Sequence, residues 1–171
     1  MIINLLLSII LLSVPSYTVK GEHVNPSPIQ KEKKGYKAYA KVLKPSEILC
    51  LSKNIYFEAR GEKKIGKTAV ALVTVNRLKQ SNKYTSICQV VYQKKYHKCQ
   101  FSWACDNNKK VNDQYSFNIC RNIAKNVLMN YNIIPDITNG ATHFHKKNIR
   151  TKWSKSLKKT VIIGKHVFYK L

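Results

Sequence analysis

Acids are scarce in this chain, so the type and place of each one carries information. Eight Asp and Glu stand against 31 Lys and Arg. From residue 45 onward the acids are Glu47, Glu58, Glu62, Asp106, Asp113 and Asp136. Glu47, Asp113 and Asp136 fall at predicted helix ends or turns, where capping accounts for them. Glu58 stands apart. It lies in NIYFEARGE, at the end of an apolar helical stretch and between Tyr56, Phe57 and Ala59, so its carboxyl is expected to lose part of its hydration. Desolvation favours the neutral form and raises the pKa, which is what a general acid needs near neutral pH. The plainer alternative is a surface glutamate paired with Arg60 or a neighbouring lysine.

Histidines form the second group. His143 and His145 alternate in ATHFH, so on a strand both leave the same face, and His166 follows in GKHVFY. They can act as acid–base groups or, together, as metal ligands. No Asp or Glu lies near them in sequence to orient an imidazole on a metal, so the expectation is hydrogen bonding in a wet groove, with no metal and no cofactor. The five cysteines, Cys50, Cys88, Cys99, Cys105 and Cys120, include no CxxC, and the spacing of Cys99 to Cys105 is too loose for a zinc finger. Structural disulfides are expected, with four cysteines paired in an oxidising compartment and one left free. The pairing is not fixed by the spacing. Phe101, Trp103, Phe144, Trp153, Phe168 and Tyr169 can stack on sugars or bases, or simply fill a core.

The elements that must hold these groups follow from periodicity. Ser46 and Glu47 can cap a helix carrying Ile48, Leu49, Leu51, Ile55 and Tyr56, which stops near Arg60-Gly61. A second helix is predicted over residues 65–78, where Ala69, Val70, Ala71, Leu72, Val73 and Val75 leave no polar face; it belongs at the centre of the core. Residues 94–111, rich in Lys, Asn and Cys, read as a long functional or disulfide-pinned loop. A third helix, capped by Asn112 or Asp113, presents Ile119, Ile123 and Val127, widened by Tyr115, Ala124 and Leu128. The C-terminal VIIGKHVFY predicts a tight hairpin with Gly164 first in the turn.

With 171 residues, 44% of them apolar, and a net charge of +23, the chain is a folded, strongly cationic protein rather than a disordered basic tail. Residues 2–14 are uncharged and too short for a comfortable bilayer span, and read as the apolar part of an export signal. Residues 1–16 are therefore assigned as a signal peptide cut after Ser16, or as a signal anchor in transient contact with the membrane. Residues 17–44 form a flexible basic linker, and 45–171 the globular domain. Export places the protein in the periplasm, the cell wall or the extracellular space. Self-repulsion at this charge favours a monomer.

Taken in order, CLSKNIYFEARGE, GKTAVALVTVNRL, YTSICQVVY, CQFSWACD, ATHFH and IIGKHVFY resemble the SleB-type cell wall hydrolase family, named for spore-cortex-lytic enzymes. The resemblance implies an α+β, lysozyme-like fold, mostly helical with a small β-hairpin or sheet, and cleavage of the glycan strand of peptidoglycan. It carries the catalytic acid onto Glu58, and marks Gln100, Ser102, Thr142, His143, Trp153 and His166 as groove residues that bind substrate. It also implies that one Glu suffices: as a lytic transglycosylase it protonates the glycosidic oxygen and then acts as base on the sugar's own 6-hydroxyl. A conventional glycosidase needs a second carboxylate, for which Glu62 and Asp106 are the candidates, although Glu62 can equally cap the following helix. The chain departs from the family pattern at Gly66-Lys67 and at Thr151. No wall-binding repeat is visible in residues 17–44, so the positive charge is expected to hold the protein on anionic wall polymers, with no specific nucleic acid as partner. Wall remodelling or lysis fits this better than a spore role. The competing readings are a secreted basic nuclease working through its histidines, a cationic wall-binding protein without catalysis, and a metal-dependent amidase.

Overall fold

The computed structural model describes residues 43–171. The expected signal segment 1–16, and all of the linker 17–44 but its last two residues, lie outside the described residues. Four helices and two small antiparallel sheets make up the rest, an α+β arrangement. Among the described residues no helix is long and apolar enough to cross a membrane.

Helix α1 (Pro45–Ala59) starts one residue earlier than the expected Ser46 cap. Pro45 occupies the first turn, where its fixed φ suits the helix and its missing N–H would be unpaired anyway. Lys44 takes the cap position without a side-chain hydrogen bond. Glu47 works across the fold instead: its carboxylate accepts from the Ile87 N–H at 2.6 Å, at the start of the short helix α3 (Ile87–Val91).

Helix α2 (Lys64–Gln80) is central, as its uniform apolarity predicted. Residues 69 to 76 are all buried, packed by α1 on one side and by the sheet on the other. β-Branched residues weaken helix propensity, but tertiary burial decides for a segment this apolar.

In helix α4 (Gln114–Asn130), Asp113 caps as expected, accepting from Ser116 N at 2.9 Å. The expected stripe needs correction at its start: Tyr115 is 77% and Ile119 37% exposed, while Phe117 and Cys120 are buried with Ile123, Ala124, Val127 and Leu128. A four-residue step overshoots a 3.6-residue turn by about 40°, so a strict i, i+4, i+8 row drifts off the contact line. Phe117 fixes the true line by meeting the Tyr56 ring edge-on, 5.8 Å away.

Residues 94–111 are not a plain loop. They hold a two-residue ladder, β1 (Lys94–Lys95) with β2 (Lys98–Cys99), and a 3-10 turn at Ser102–Cys105. The Cys99–Cys105 disulfide closes this segment, and Cys50–Cys88 ties α1 to α3. Cys120 is the free, buried cysteine, and burial pushes its thiol up to about 11.

The second sheet has the order β3 (His143–Lys146), β5 (His166–Lys170), β4 (Lys158–Ile163), all antiparallel. Its β4–β5 turn carries Gly164 at φ +57, the glycine-first hairpin the sequence predicted. Ile163 and Phe168 pack with Ala141 onto Ala69 and Val73 of α2, a core cluster distinct from the one among the helices.

Candidate active site

Glu58 sits in the last turn of α1, one turn after Asn54, so the two share a face of the helix. Asn54 is fully buried; it donates to Thr74 Oγ1 of α2 at 3.0 Å and accepts from Trp103 Nε1 at 3.1 Å. That one amide locks α1 to α2 and to the disulfide-closed segment. Trp103 then stacks on Phe57 at 4.7 Å, which builds one wall beside Glu58.

Burial raises the Glu58 pKa, while Lys146 and Arg77 pull it back without cancelling the effect. The negative pole at the C-terminal end of α1 acts in the same direction as burial. The alternative pairing with Arg60 is not formed. Arg60 turns to Tyr56, donating to its hydroxyl at 3.1 Å with the guanidinium 5.2 Å from the ring centre. Among the described residues Glu58 makes no ion pair within 4.0 Å.

A cleft of about 1400 Å³ opens over this carboxyl. Gln100, Ser102 and Trp103 of the disulfide-closed segment line it, together with His143, His145, Trp153 and His166 of the C-terminal part and Arg77 of α2. Of the described residues lining it, Glu58 is the only Asp or Glu. Neither candidate second carboxylate is there. Asp106 accepts from the Asn108 N–H at 3.0 Å and lies 3.9 Å from Lys109. Glu62 is turned into the hairpin, accepting from the Lys165 N–H at 3.1 Å rather than capping α2, whose cap position is Lys63.

Of the groove residues marked from the sequence, Gln100, Ser102, His143, Trp153 and His166 line the cleft. Thr142 does not. It is 4% exposed; its N–H donates to Tyr169 O at 2.9 Å and its hydroxyl meets His143 Nδ1 at 2.9 Å, so it supports a neighbour. Burial, aided by Arg77, lowers His143 to about 4, which keeps it neutral at pH 7 and unsuited to general-acid work there. Trp153, 38% exposed, lies beside Tyr169 and His145 at a steep angle to both, with ring centres 5.6 Å away in each case. His145 in turn stacks on Tyr169 and shares a 3.0 Å hydrogen bond with its hydroxyl. A partly exposed aromatic ring suits the apolar face of a sugar.

The three histidines do not converge. Alternation puts His143 and His145 on one face of β3 and Phe144 and Lys146 on the other, and the register pairs Lys146 with His166. His166 accordingly packs against Phe144, at 5.3 Å.

Arg77 was missed in the sequence. Its Nε donates to the Thr142 carbonyl and its guanidinium lies 5.4 Å from the Phe101 ring centre, so α2 holds both walls of the cleft through one side chain. Burial lowers its pKa to about 10 against the pull of Glu58, which leaves it charged at neutral pH. The available signal was an arginine inside VTVNRL, at the end of an otherwise apolar helix. Asn54 was missed too, although its place four residues before Glu58 marks it.

A family model described as cell wall hydrolase matches residues 61–169, a span that begins just after Glu58. Two solved structures share the fold. The catalytic domain of the germination-specific lytic transglycosylase SleB from Bacillus anthracis has a TM-score of 0.58 and 22% identity, over 75% of this chain and 97% of that one. The catalytic domain of the Bacillus cereus SleB protein has a TM-score of 0.57 and 22% identity, over 80% of this chain and 99% of that one. No curated protein matches the chain.

Proposed function

The chain belongs to the cell wall hydrolase family, and from that premise we propose that it cleaves the glycan strand of peptidoglycan as a lytic transglycosylase, with Glu58 as acid and then base. The observation that carries this reading is a cleft whose only lining carboxyl among the described residues is a half-buried one with a raised pKa.

In the first step Glu58 gives its proton to the glycosidic oxygen, the C1–O bond breaks, and the leaving sugar departs as an alcohol. Positive charge then spreads over C1 and the ring oxygen, facing the new carboxylate. Burial favours the protonated acid, and Arg77 and Lys146 make the carboxylate less costly to form once the proton is given. In the second step the 6-hydroxyl of the same sugar attacks C1 and loses its proton to Glu58, which closes a 1,6-anhydro ring and restores the acid. No water is consumed. A retaining or inverting glycosidase needs a partner carboxylate about 5 to 9.5 Å away, and neither Glu62 nor Asp106 offers one in the cleft.

Trp153 would stack on a sugar face, with Gln100, Ser102, His143 and His166 supplying hydrogen bonds and Thr142 positioning His143. The net charge of +23 would keep the protein on anionic wall polymers after export, as a monomer. Mass spectrometry of fragments from purified peptidoglycan tests the reading. Anhydro ends released by the wild type and lost in Glu58→Gln are expected; reducing ends would overturn it in favour of hydrolysis. No fragments from either protein would leave a non-catalytic binder.

A further inference from the structure

Glu62 is a buried carboxyl that the proposed chemistry leaves unused. Its side chain is 7% exposed, although it belongs to the turn between α1 and α2. Two glycines make room for it. A Cβ on Gly164 would stand 2.0 Å from Glu62 Oε2, and one on Gly66 would stand 2.9 Å from Glu62 Cβ. The backbone around it is fastened as well: Lys67 Nζ donates to the Glu62 carbonyl, and Lys165 N–H donates to Oε1 at 3.1 Å. The same oxygen faces His166, whose Nδ1 is 3.4 Å away, fully buried, and without a hydrogen bond.

An imidazole nitrogen placed this way has a preferred protonation. A lone pair on Nδ1 would face a carboxylate oxygen, whereas a proton there is attracted to it. The other nitrogen, Nε2, is then left without its hydrogen and accepts. His166 is 2% exposed, and burial lowers its pKa against the pull of Glu62, which disfavours the doubly protonated ring. It also lines the cleft, edge-on to Phe144.

We propose that Glu62 is a positioning residue that fixes His166 as the Nδ1–H tautomer, so that Nε2 presents a hydrogen-bond acceptor to a donor on the bound glycan, a hydroxyl or an acetamido N–H. The partner so identified rests on the glycan-cleaving reading above; the tautomer does not. The two glycines are part of the device, because either side chain would displace the carboxylate from the ring. The arrangement resembles the carboxylate partners that fix histidine tautomers elsewhere, with substrate in the place of a metal or a nucleophile.

The test uses the full chain with 15N-labelled histidine, and compares wild type, Glu62→Gln and Glu62→Met. In Glu62→Gln the amide oxygen can still accept from both Lys165 N–H and His166 Nδ1–H. The 15N shifts of His166 are expected to report Nδ1–H in wild type and Glu62→Gln, and release to Nε2–H or a mixture in Glu62→Met. On soluble glycan fragments, Glu62→Met is expected to raise KM about fivefold to tenfold, as for one lost hydrogen bond, with kcat changed less than about twofold. Glu62→Gln should restore KM. An Nε2–H tautomer in the wild type overturns the proposal without any variant having to fold. So does a Glu62→Met protein that folds with the wild-type tautomer. If the tautomer behaves as expected but no glycan is cleaved, the positioning stands and the assigned substrate falls.

Discussion

The helical side and the sheet side of the cleft are built on different physical principles. On the helical side, α1, α2 and α4 meet through a broad apolar interface from Leu51 and Ile55 to Val127 and Leu128. Such packing is non-directional and redundant. The sheet side has a smaller apolar cluster, and its margin is stitched to α2 by polar bonds. Asn76 donates toward Asp136 Oδ2, Thr138 Oγ1 and the Ala141 carbonyl at 2.9, 3.2 and 3.0 Å, sharing two hydrogens among three acceptors. Arg77 holds the Thr142 carbonyl, and Glu62 the Lys165 amide. Directional bonds fix register where a thin core cannot. Glu58 is therefore held largely by bulk packing, with the Asn54 bonds added to it, and the sheet side by a few named contacts.

This contrast is most sharply broken at the acid itself. Glu58→Gln is expected to lower kcat by about 10²- to 10⁴-fold, while thermal melting shows a folded protein at least as stable as wild type. A carboxyl whose folded pKa is raised contributes stability below its unfolded value of 4.5 and loses it as pH rises through the folded value. The melting advantage of Glu58→Gln should therefore grow as pH rises from the unfolded value and level off above the folded one.

The two disulfides give the next largest effect. Cys50–Cys88 closes a separation of 38 residues and Cys99–Cys105 one of 6. Loop-closure entropy gives about 4 kcal/mol for the first and about 2 for the second. Denaturant titration should rank the paired Ser variants in that order. Turnover should rank them the other way, because Cys99 and Gln100 line the cleft whereas Cys50 and Cys88 do not.

Asn76→Ala should cost about 1–3 kcal/mol by leaving a buried carbonyl unpaired. It should also raise KM more than it lowers kcat, since it loosens the sheet wall and leaves α1 in place.

The smallest change is a displacement along the pH axis. Arg77→Met removes a cation that lowers the Glu58 pKa, so the protonated acid persists to higher pH. The alkaline limb of kcat/KM should move to higher pH. A limb that stays fixed would mean that Arg77 serves the walls alone.

Legibility followed the same division. Helix α2 was readable because a run with no polar face has only one place to go. The glycine-first hairpin was readable from local turn chemistry; the scarcity of acids and the apolar flanks singled out Glu58, but only the family resemblance set it apart from a surface glutamate. The α1 cap was misread because Pro45 outranks Ser46 as a starter. The α4 stripe was misplaced only at its start, Tyr115 and Ile119, because an i, i+4, i+8 row drifts off a contact line that runs through Phe117 and Cys120. On the sheet side, the partners that matter lie far apart in the chain, Arg77 with Thr142 and Glu62 with Lys165. No local pattern announces such pairs. Thr142 was marked for the groove and lies behind its lining, because whether a side chain faces a cleft or props up the residue that does depends on strand register.

The odd cysteine has a consequence for how the molecule is made. A chain with two bridges and one spare thiol invites scrambled and intermolecular products during oxidation. Cys120 has no solvent exposure, and burial sets its thiol near 11. At pH 8 the reactive thiolate is then a fraction on the order of one in a thousand. Once α4 has docked, the spare thiol is out of the exchange reaction, so the yield of correctly bridged protein is decided by whether the helical core closes before the oxidant acts.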